Sequence, residues 1–386
     1  MNELTKGIYW VGAVDWNARN FHGYTTDLGT TYNAYLIIDE KITLIDTVKK
    51  EFASEMIDRI TQIIEPSSID YIISNHVEMD HSGSIPEIME ICPNATIVTS
   101  SPNGILGLKK HYGEYKYQEV KSGDSLLIGK RSINFLNVPM VHWPDNMMSY
   151  CPEEKILFSN DAFGQHYAST KHFDDENEMG VLVDEAAKYY ANIVMPYGAQ
   201  VQKALISASS LEINMIATSH GVIWRKDFAK ILELYDKWSK NEIKDQAVIV
   251  YDSMWHSTEK MAKAVLNGFE EANIEAKLFD LKFNHISDIV KYILESKYII
   301  VGSPTLNNNI MPTVSAFLTY LKGLAPKGRK GFAFGSYGWG GQSIEIVEEQ
   351  LQSANIEIIM DKIRIQYIPS KEDLEVITNN VHSKLK

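Results

Sequence analysis

The sequence predicts two α/β units in tandem. Residues 1–245 read as sheets sandwiched between helices, and residues 246–386 read as a doubly wound parallel sheet. Three observations carry this reading. At 386 residues the chain exceeds the size at which a single core keeps growing. In the first part, strand-like runs joined by polar turns are flanked by helical patterns, as in a layered sandwich. In the second, continuous apolar strands alternate regularly with amphipathic stretches, the pattern of a parallel sheet covered on both faces.

The fold starts almost at once, at 7–11. The runs 32–38 and 42–48 are strand-like and joined by Asp39-Glu40-Lys41, a hairpin signal. A helical pattern covers 50–64. Strand-like runs recur at 71–75, 95–99, 125–128, 131–138 and 155–159, and helical patterns return at 183–192, 203–216 and 227–240. A short polar segment, 238–245, precedes the apolar strand Ala247-Val248-Ile249-Val250-Tyr251. There follow helix 257–270, strand 276–279, helix 286–294, strand 297–302, helix 312–321, strand 331–335 and helix 343–353. The boundary near 245 rests on this change of pattern.

The chain is 45% apolar and 23% charged, ordinary for a globular protein, with a net charge of -13. That acidity opposes nucleic acid and anionic membrane as partners, since either needs a basic face. No apolar run approaches the roughly 18 residues of a membrane span, and no signal peptide is read, so the cytoplasm is the expected compartment. The two cysteines, Cys92 and Cys151, lie in apolar stretches as small core residues. There is no Cys-x-x-Cys pair, so the chain carries no iron–sulfur or rubredoxin-type site of its own.

The chemistry is concentrated in His76-Val77-Glu78-Met79-Asp80-His81. Four of these six side chains can bind a metal. Residues 76, 78 and 80 alternate, so an extended loop would turn them to one side, and His81 adds a fourth ligand at the turn. The plainer reading is a polar loop capping a helix, with Ser82 and Ser84 as caps. Ligand spacing this dense favours the metal. Three further residues end or follow strand-like stretches: His142, Asp161 and His220. Mixed carboxylate and imidazole donors suit iron or manganese better than zinc, and seven ligands with one carboxylate able to bridge imply two ions.

This pattern resembles the metallo-β-lactamase superfamily, whose His-x-His-x-Asp-His run is followed by His, Asp and His. Glu78 in place of the second histidine is the mark of one branch, the flavodiiron proteins or A-type flavoproteins. The resemblance extends over the whole chain. It includes Gly7 to Trp16, Gly29 to Tyr35, His142-Trp143-Pro144-Asp145, Asp161-Ala162-Phe163-Gly164, Ser219-His220-Gly221 and, closest to clostridial and methanogen members, Asp184 to Asn192. It implies a metallo-β-lactamase-like αββα sandwich with a flavodoxin-like second domain. It also implies one iron on His76, Glu78, His142 and Asp161, and another on Asp80, His81, Asp161 and His220, with Asp161 bridging. The family places a histidine, here His22, near the open side of the irons. A tyrosine is expected there too. Tyr189 and Tyr190 point about 100° apart on a helix, so only one can face the site, and Tyr189 is preferred.

In the second unit, strand 247–251 runs into Ser253, Met254, Trp255, His256, Ser257 and Thr258 at a helix start. Backbone N–H groups and hydroxyls there suit a phosphate, and the loop has no lysine or arginine. N-capping by Ser257 is the plainer reading. Two more loops follow later strands: Ser303, Pro304, Thr305, Leu306, Asn307 and Asn308, then Ser336, Tyr337, Gly338, Trp339, Gly340 and Gly341. Ligands of doubly wound sheets bind at that edge, where Tyr337 or Trp339 could lie against a flat ring. Together the loops look like flavodoxin, which binds FMN.

A di-iron site and a flavin in one chain imply reduction of a small oxidant, dioxygen to water or nitric oxide to nitrous oxide. The resemblance further implies a head-to-tail homodimer or a dimer of dimers. The electron donor would be separate: a rubredoxin-like protein, or a reduced deazaflavin coenzyme in a methanogen-like host. The alternative is a zinc hydrolase with an accessory flavin domain, against which Glu78 and the flavin loops count.

Overall fold

The structure is a computed structural model that describes residues 2–386. It divides into two compact units: residues up to Tyr189 with Tyr197–Ser239, and Tyr190–Pro196 with Lys240–Lys386.

The first unit is an αββα sandwich of two sheets. One has seven strands, with Tyr35–Ile37, Ile42–Ile45, Ile69–Ser74 and Thr96–Ser100 at its centre. The other has five, running from Ser125–Leu127 through Met147–Cys151 to Ile156–Asn160 and Met215–Thr218. Successive side chains of a strand point to opposite faces, and the cores follow that rule. Tyr35, Ile37, Ile73 and Val98 pack with Phe135, Met147 and Phe158 of the second sheet. Their neighbours Leu36, Ile72 and Ile97 pack outward on Met56, Ile60, Ile85, Ile88 and Leu108 of helices Ala53–Thr61, Ile85–Ile91 and Asn103–Tyr112. Ile69–Ser74 and the parallel pair Ile156–Asn160 and Met215–Thr218 end in the loops that carry the metal-type side chains.

The second unit is a six-stranded parallel sheet in the order Glu275–Asp280, Lys244–Tyr251, Ser296–Gly302, Lys330–Tyr337, Glu357–Ile358, with Ile363–Gln366 also on Lys330–Tyr337. That 2-1-3-4-5 order is the flavodoxin-like one. Val248, Val250, Ile299 and Val301 face one core, and Ala247, Ile249, Ile300 and Phe332 the other. Helix Lys371–Leu385 packs on Ser257–Glu271 at Gly268, where a Cβ would stand 2.6 Å from the Val381 Cβ. Asn192 pins the 190–196 segment into this unit: its amide donates to the Ser287 carbonyl (3.1 Å) and accepts from the Tyr320 hydroxyl (2.7 Å).

Two expectations need correction. The helix read over 203–216 spans Gly198–Ala208, and Met215–Thr218 is a strand. Ser209, Ser210 and Asn214 favour turn conformations over helix, and the apolar run after them pairs with Ile156–Asn160. The helix read over 183–192 runs from Met179 to Tyr189 and gives way to a π-turn, Tyr190–Val194. The helices Asn103–Tyr112 and Lys371–Leu385 were not anticipated.

Candidate functional site

The run at 76–81 is not extended throughout. Strand Ile69–Ser74 ends, residues 75–78 continue the chain outward, and a helical turn Met79–Ser82 begins with Glu78 as its N-cap. The change of backbone at residue 78 divides the candidate ligands. His76 and Glu78 meet His142 and Asp161, whereas Asp80 and His81, on the helical turn, meet His220. The expectation that 76, 78 and 80 share one side is therefore wrong for Asp80. Capping does not explain the run either. The Ser84 hydroxyl donates to the Val48 carbonyl and that of Ser82 to the Val77 and Glu78 carbonyls.

Within the first set, His76 Nε2 lies 3.2 Å from Glu78 Oε2, and His142 Nε2 lies 3.2 Å from Asp161 Oδ2. In the second, His220 Nε2 lies 3.1 Å from Asp80 Oδ2, and His81 Nε2 lies 2.9 Å from Asp161 Oδ1. Asp161 thus turns one oxygen to each set. Donors bonded to one ion at about 2.0–2.2 Å lie about 3.0–3.5 Å apart, which matches these spacings.

Burial opposes charge at Asp161 and Asp80, yet the facing histidines hold both carboxyls below the ordinary range. Burial likewise opposes a charge on His81, but Asp161 and Asp80 draw its pKa up to about 9. The cluster therefore attracts positive charge. Among the described residues, both Asp80 oxygens, Asp161 Oδ1 and both His81 nitrogens are buried and lack a partner in hydrogen-bond geometry. Buried polar groups are rarely left so, and metal coordination would satisfy all of them except His81 Nδ1. The donor set fits two ions.

The surroundings fix these side chains. Asp145 accepts from His76 Nδ1, and the Thr31 carbonyl lies 2.7 Å from His220 Nδ1. Asn75 ties the two sheets together, donating to Asp46 and accepting from the Ser149 hydroxyl. Gly221 follows His220 at φ +74°, and a Cβ there would stand 2.4 Å from the Gln165 carbonyl oxygen. His22 Nε2 lies 2.6 Å from Glu78 Oε1, with most of its ring exposed. Tyr189 is buried with its ring 6.1 Å from that of His220, while Tyr190 belongs to the second unit. His166 was not anticipated. Buried between Phe21, Tyr24, Tyr189 and His220, it hydrogen-bonds the Thr30 hydroxyl through Nδ1, and its sequence context gives no sign of this.

In the second unit the three loops converge on a cavity of about 580 Å³. It is lined by Met254, Trp255, Ser257, Pro304, Thr305, Ser336, Tyr337, Gly338 and Trp339, with Tyr367 and Ile368 added from a segment not foreseen. Ser253, Thr258 and Ser303 lie buried beneath the lining, and Thr258 hydrogen-bonds Ser336. Leu306, Asn307 and Asn308 form a turn beside it, with both asparagines in the left-handed region. His256 also adopts that conformation and is the helix N-cap, so Ser257 is the first helical residue and not the cap. Gly340 and Gly341 have positive φ and lead into the next helix. Lys282, outside the loop, donates to the Ser253 carbonyl and lies 3.5 Å from Asp252 Oδ1. A cavity of this size walled by aromatic faces, at a helix N-terminus with the buried, unpartnered Ser253 hydroxyl, fits a flavin mononucleotide.

Comparison with known proteins agrees with this geometry. The family model described as ODP family beta lactamase matches residues 30–221, and that described as flavodoxin matches 249–378. A nitric oxide reductase of Moorella thermoacetica is 49% identical over 379 residues, covering 96% of this chain and 95% of the relative. The chain belongs to the flavodiiron protein family. Among solved structures, the rubredoxin oxygen:oxidoreductase of the anaerobe Desulfovibrio gigas superposes with a TM-score of 0.96 at 39% identity, covering 100% of this chain and 98% of that one. The flavodiiron protein of Giardia intestinalis gives 0.95 at 38% identity, covering 100% and 95%. As a flavodiiron protein the chain is an oxidoreductase with FMN and a di-iron site. Among the described residues no helix is long and apolar enough to cross a membrane.

Proposed function

We propose that this flavodiiron protein reduces dioxygen to water, nitric oxide to nitrous oxide, or both. The observation that carries the reading is the pair of ligand sets sharing Asp161, in one chain with the 580 Å³ flavin cradle. When bound, the FMN and two irons supply one-electron transfer and binding positions for a diatomic oxidant. His76, Glu78, His142 and Asp161 would hold one iron. Asp80, His81, His220 and the second oxygen of Asp161 would hold the other. The three loops from Ser253, Ser303 and Ser336 would hold the FMN.

The surrounding side chains have separable tasks. His22 orients Glu78 through the 2.6 Å contact with Oε1. Phe21, Tyr24 and His166 pack about the His220 side and exclude bulk water there. Burial first, and the nearby Asp161 charge second, keep the Tyr189 hydroxyl protonated well above neutral pH. Tyr189 therefore holds a proton beside the centre, and both reductions consume protons.

Residues 1–245 would form the di-iron domain and 246–386 the flavin domain of a cytoplasmic enzyme. A head-to-tail homodimer, or a dimer of dimers, is supported by two exposed apolar collars: Trp255, Trp339 and Ile368 at the flavin cradle, and Met79 and Trp143 beside the ligand loops. The donor would be a separate rubredoxin-type protein, or a reduced deazaflavin coenzyme in a methanogen-like host. The test is uptake of dioxygen and of nitric oxide by the purified protein with reduced rubredoxin. Uptake of either that requires both iron and FMN is expected. Ester or lactam hydrolysis without an electron donor, and no uptake, would favour the zinc hydrolase instead.

A further inference from the structure

We propose that the two metal positions are unequal and that Asp145 makes them so, by backing His76 and thereby creating the tighter, more electron-rich position at His76, Glu78 and His142. This inference rests on the reading of the two sets as iron ligands.

Asp145 belongs to neither set. It is buried, and its Oδ2 accepts from both His76 Nδ1 and the Val77 N–H, each at 2.8 Å. The Ser100 hydroxyl donates to its main-chain carbonyl (2.6 Å), which fixes the loop. A carboxylate only accepts, so the His76 proton sits on Nδ1 and the Nε2 lone pair faces Glu78 and Asp161. An anionic partner on Nδ1 draws on that proton and raises the basicity of Nε2, while the hydrogen bond fixes the ring.

Neither histidine of the other set hydrogen-bonds a carboxylate through Nδ1 in this way. His220 Nδ1 has a neutral partner, the Thr31 carbonyl. His81 Nδ1 is buried with no hydrogen-bond partner among the described residues. The carboxylates near His81 are Asp80 and Asp161, which face its Nε2, and Asp46, whose two oxygens each accept a hydrogen bond from Asn75. Loss of the partner of a metal-binding histidine typically costs about 10- to 100-fold in metal affinity or activity, and His81 has no such partner among the described residues. The His76 position should therefore fill first and empty last.

The test loads metal-free, FMN-containing protein with one equivalent of ferrous iron under anaerobic conditions. Anomalous diffraction at the iron edge then measures occupancy at each position. About nine-tenths of the iron is expected at the His76 side, given a tenfold or greater preference. Asp145→Asn keeps the shape and loses the charge, and should weaken that position about 10- to 100-fold, evening or reversing the distribution while FMN stays bound. A measurement without any variant is chelator release from the native protein, expected in two phases with the last iron at the His76 side. Equal occupancy, preference for the Asp80 side, single-phase release, or an unchanged distribution in Asp145→Asn would each overturn the inference alone. Iron at neither position would overturn the ligand assignment itself.

Discussion

Asp161 Oδ1 lies 2.9 Å from His81 Nε2, while the other oxygen of the same carboxylate faces His142. One side chain therefore serves both sets. Asp161→Ala removes a ligand from each, so iron should fall well below two per chain and turnover should be lost, with FMN still near one per chain. His220→Ala removes a ligand from one set only and should keep about one iron. Metal analysis with flavin absorbance distinguishes the two variants.

The Ser253 hydroxyl is buried without a partner among the described residues, and Thr258 reaches Ser336 across the cradle. Hydrogen bonds to a charged group contribute about 1.5–3 kcal/mol each. Changing Ser253 and Thr258 together to Ala should weaken FMN binding at least about tenfold. Titrating apoprotein with FMN and following flavin fluorescence gives the affinity directly.

Gly221 combines φ +74° with a Cβ position 2.4 Å from the Gln165 carbonyl oxygen. A left-handed non-glycine residue costs about 1–2 kcal/mol, and the clash adds to it. Gly221→Ala should lower the Tm of the first unit by at least about 4 °C and loosen the adjacent His220. Calorimetry and iron content would report the two effects.

His172 lies against Trp10, with ring centroids 4.0 Å apart, and Arg59 stands over the same indole. Burial first, then the Arg59 charge, lowers its pKa from 6.5 to about 4. Between these values the unfolded chain binds a proton that the folded chain does not, so stability rises with pH across the window and is lost as pH falls toward 4. The contribution is bounded at about 3 kcal/mol. Denaturant unfolding of the metal-free protein at pH 4.5 and 7 should show this loss, and His172→Gln should reduce it.

Much of the candidate site was legible because residues able to bind metals or phosphate cluster at short-range spacing in the sequence. The run His76 to His81, and His142, Asp161 and His220 after strand-like stretches, all lie where the two sets need them. The division of the run was not legible, since it depends on a helical turn beginning at Met79 that alternation alone does not signal. Lys282 was missed at the flavin loop because it arrives from beyond the next strand, some thirty residues on. Tyr367 and Ile368 follow the short edge strand Ile363–Gln366, too brief to read as a strand by pattern. The helix read over 203–216 failed where Ser209 and Ser210 break an apolar pattern that strand pairing then resumes. His166 and the backing role of Asp145 are tertiary facts, joining residues far apart in sequence.

The most direct test of the central claim is the metal and flavin content of the purified protein, taken with its visible spectrum. The account predicts about two irons and one FMN per chain, with the absorbance of an oxidised flavin. Zinc in place of iron, or a cradle that takes up no flavin, would contradict it, and the redox function would have to be withdrawn.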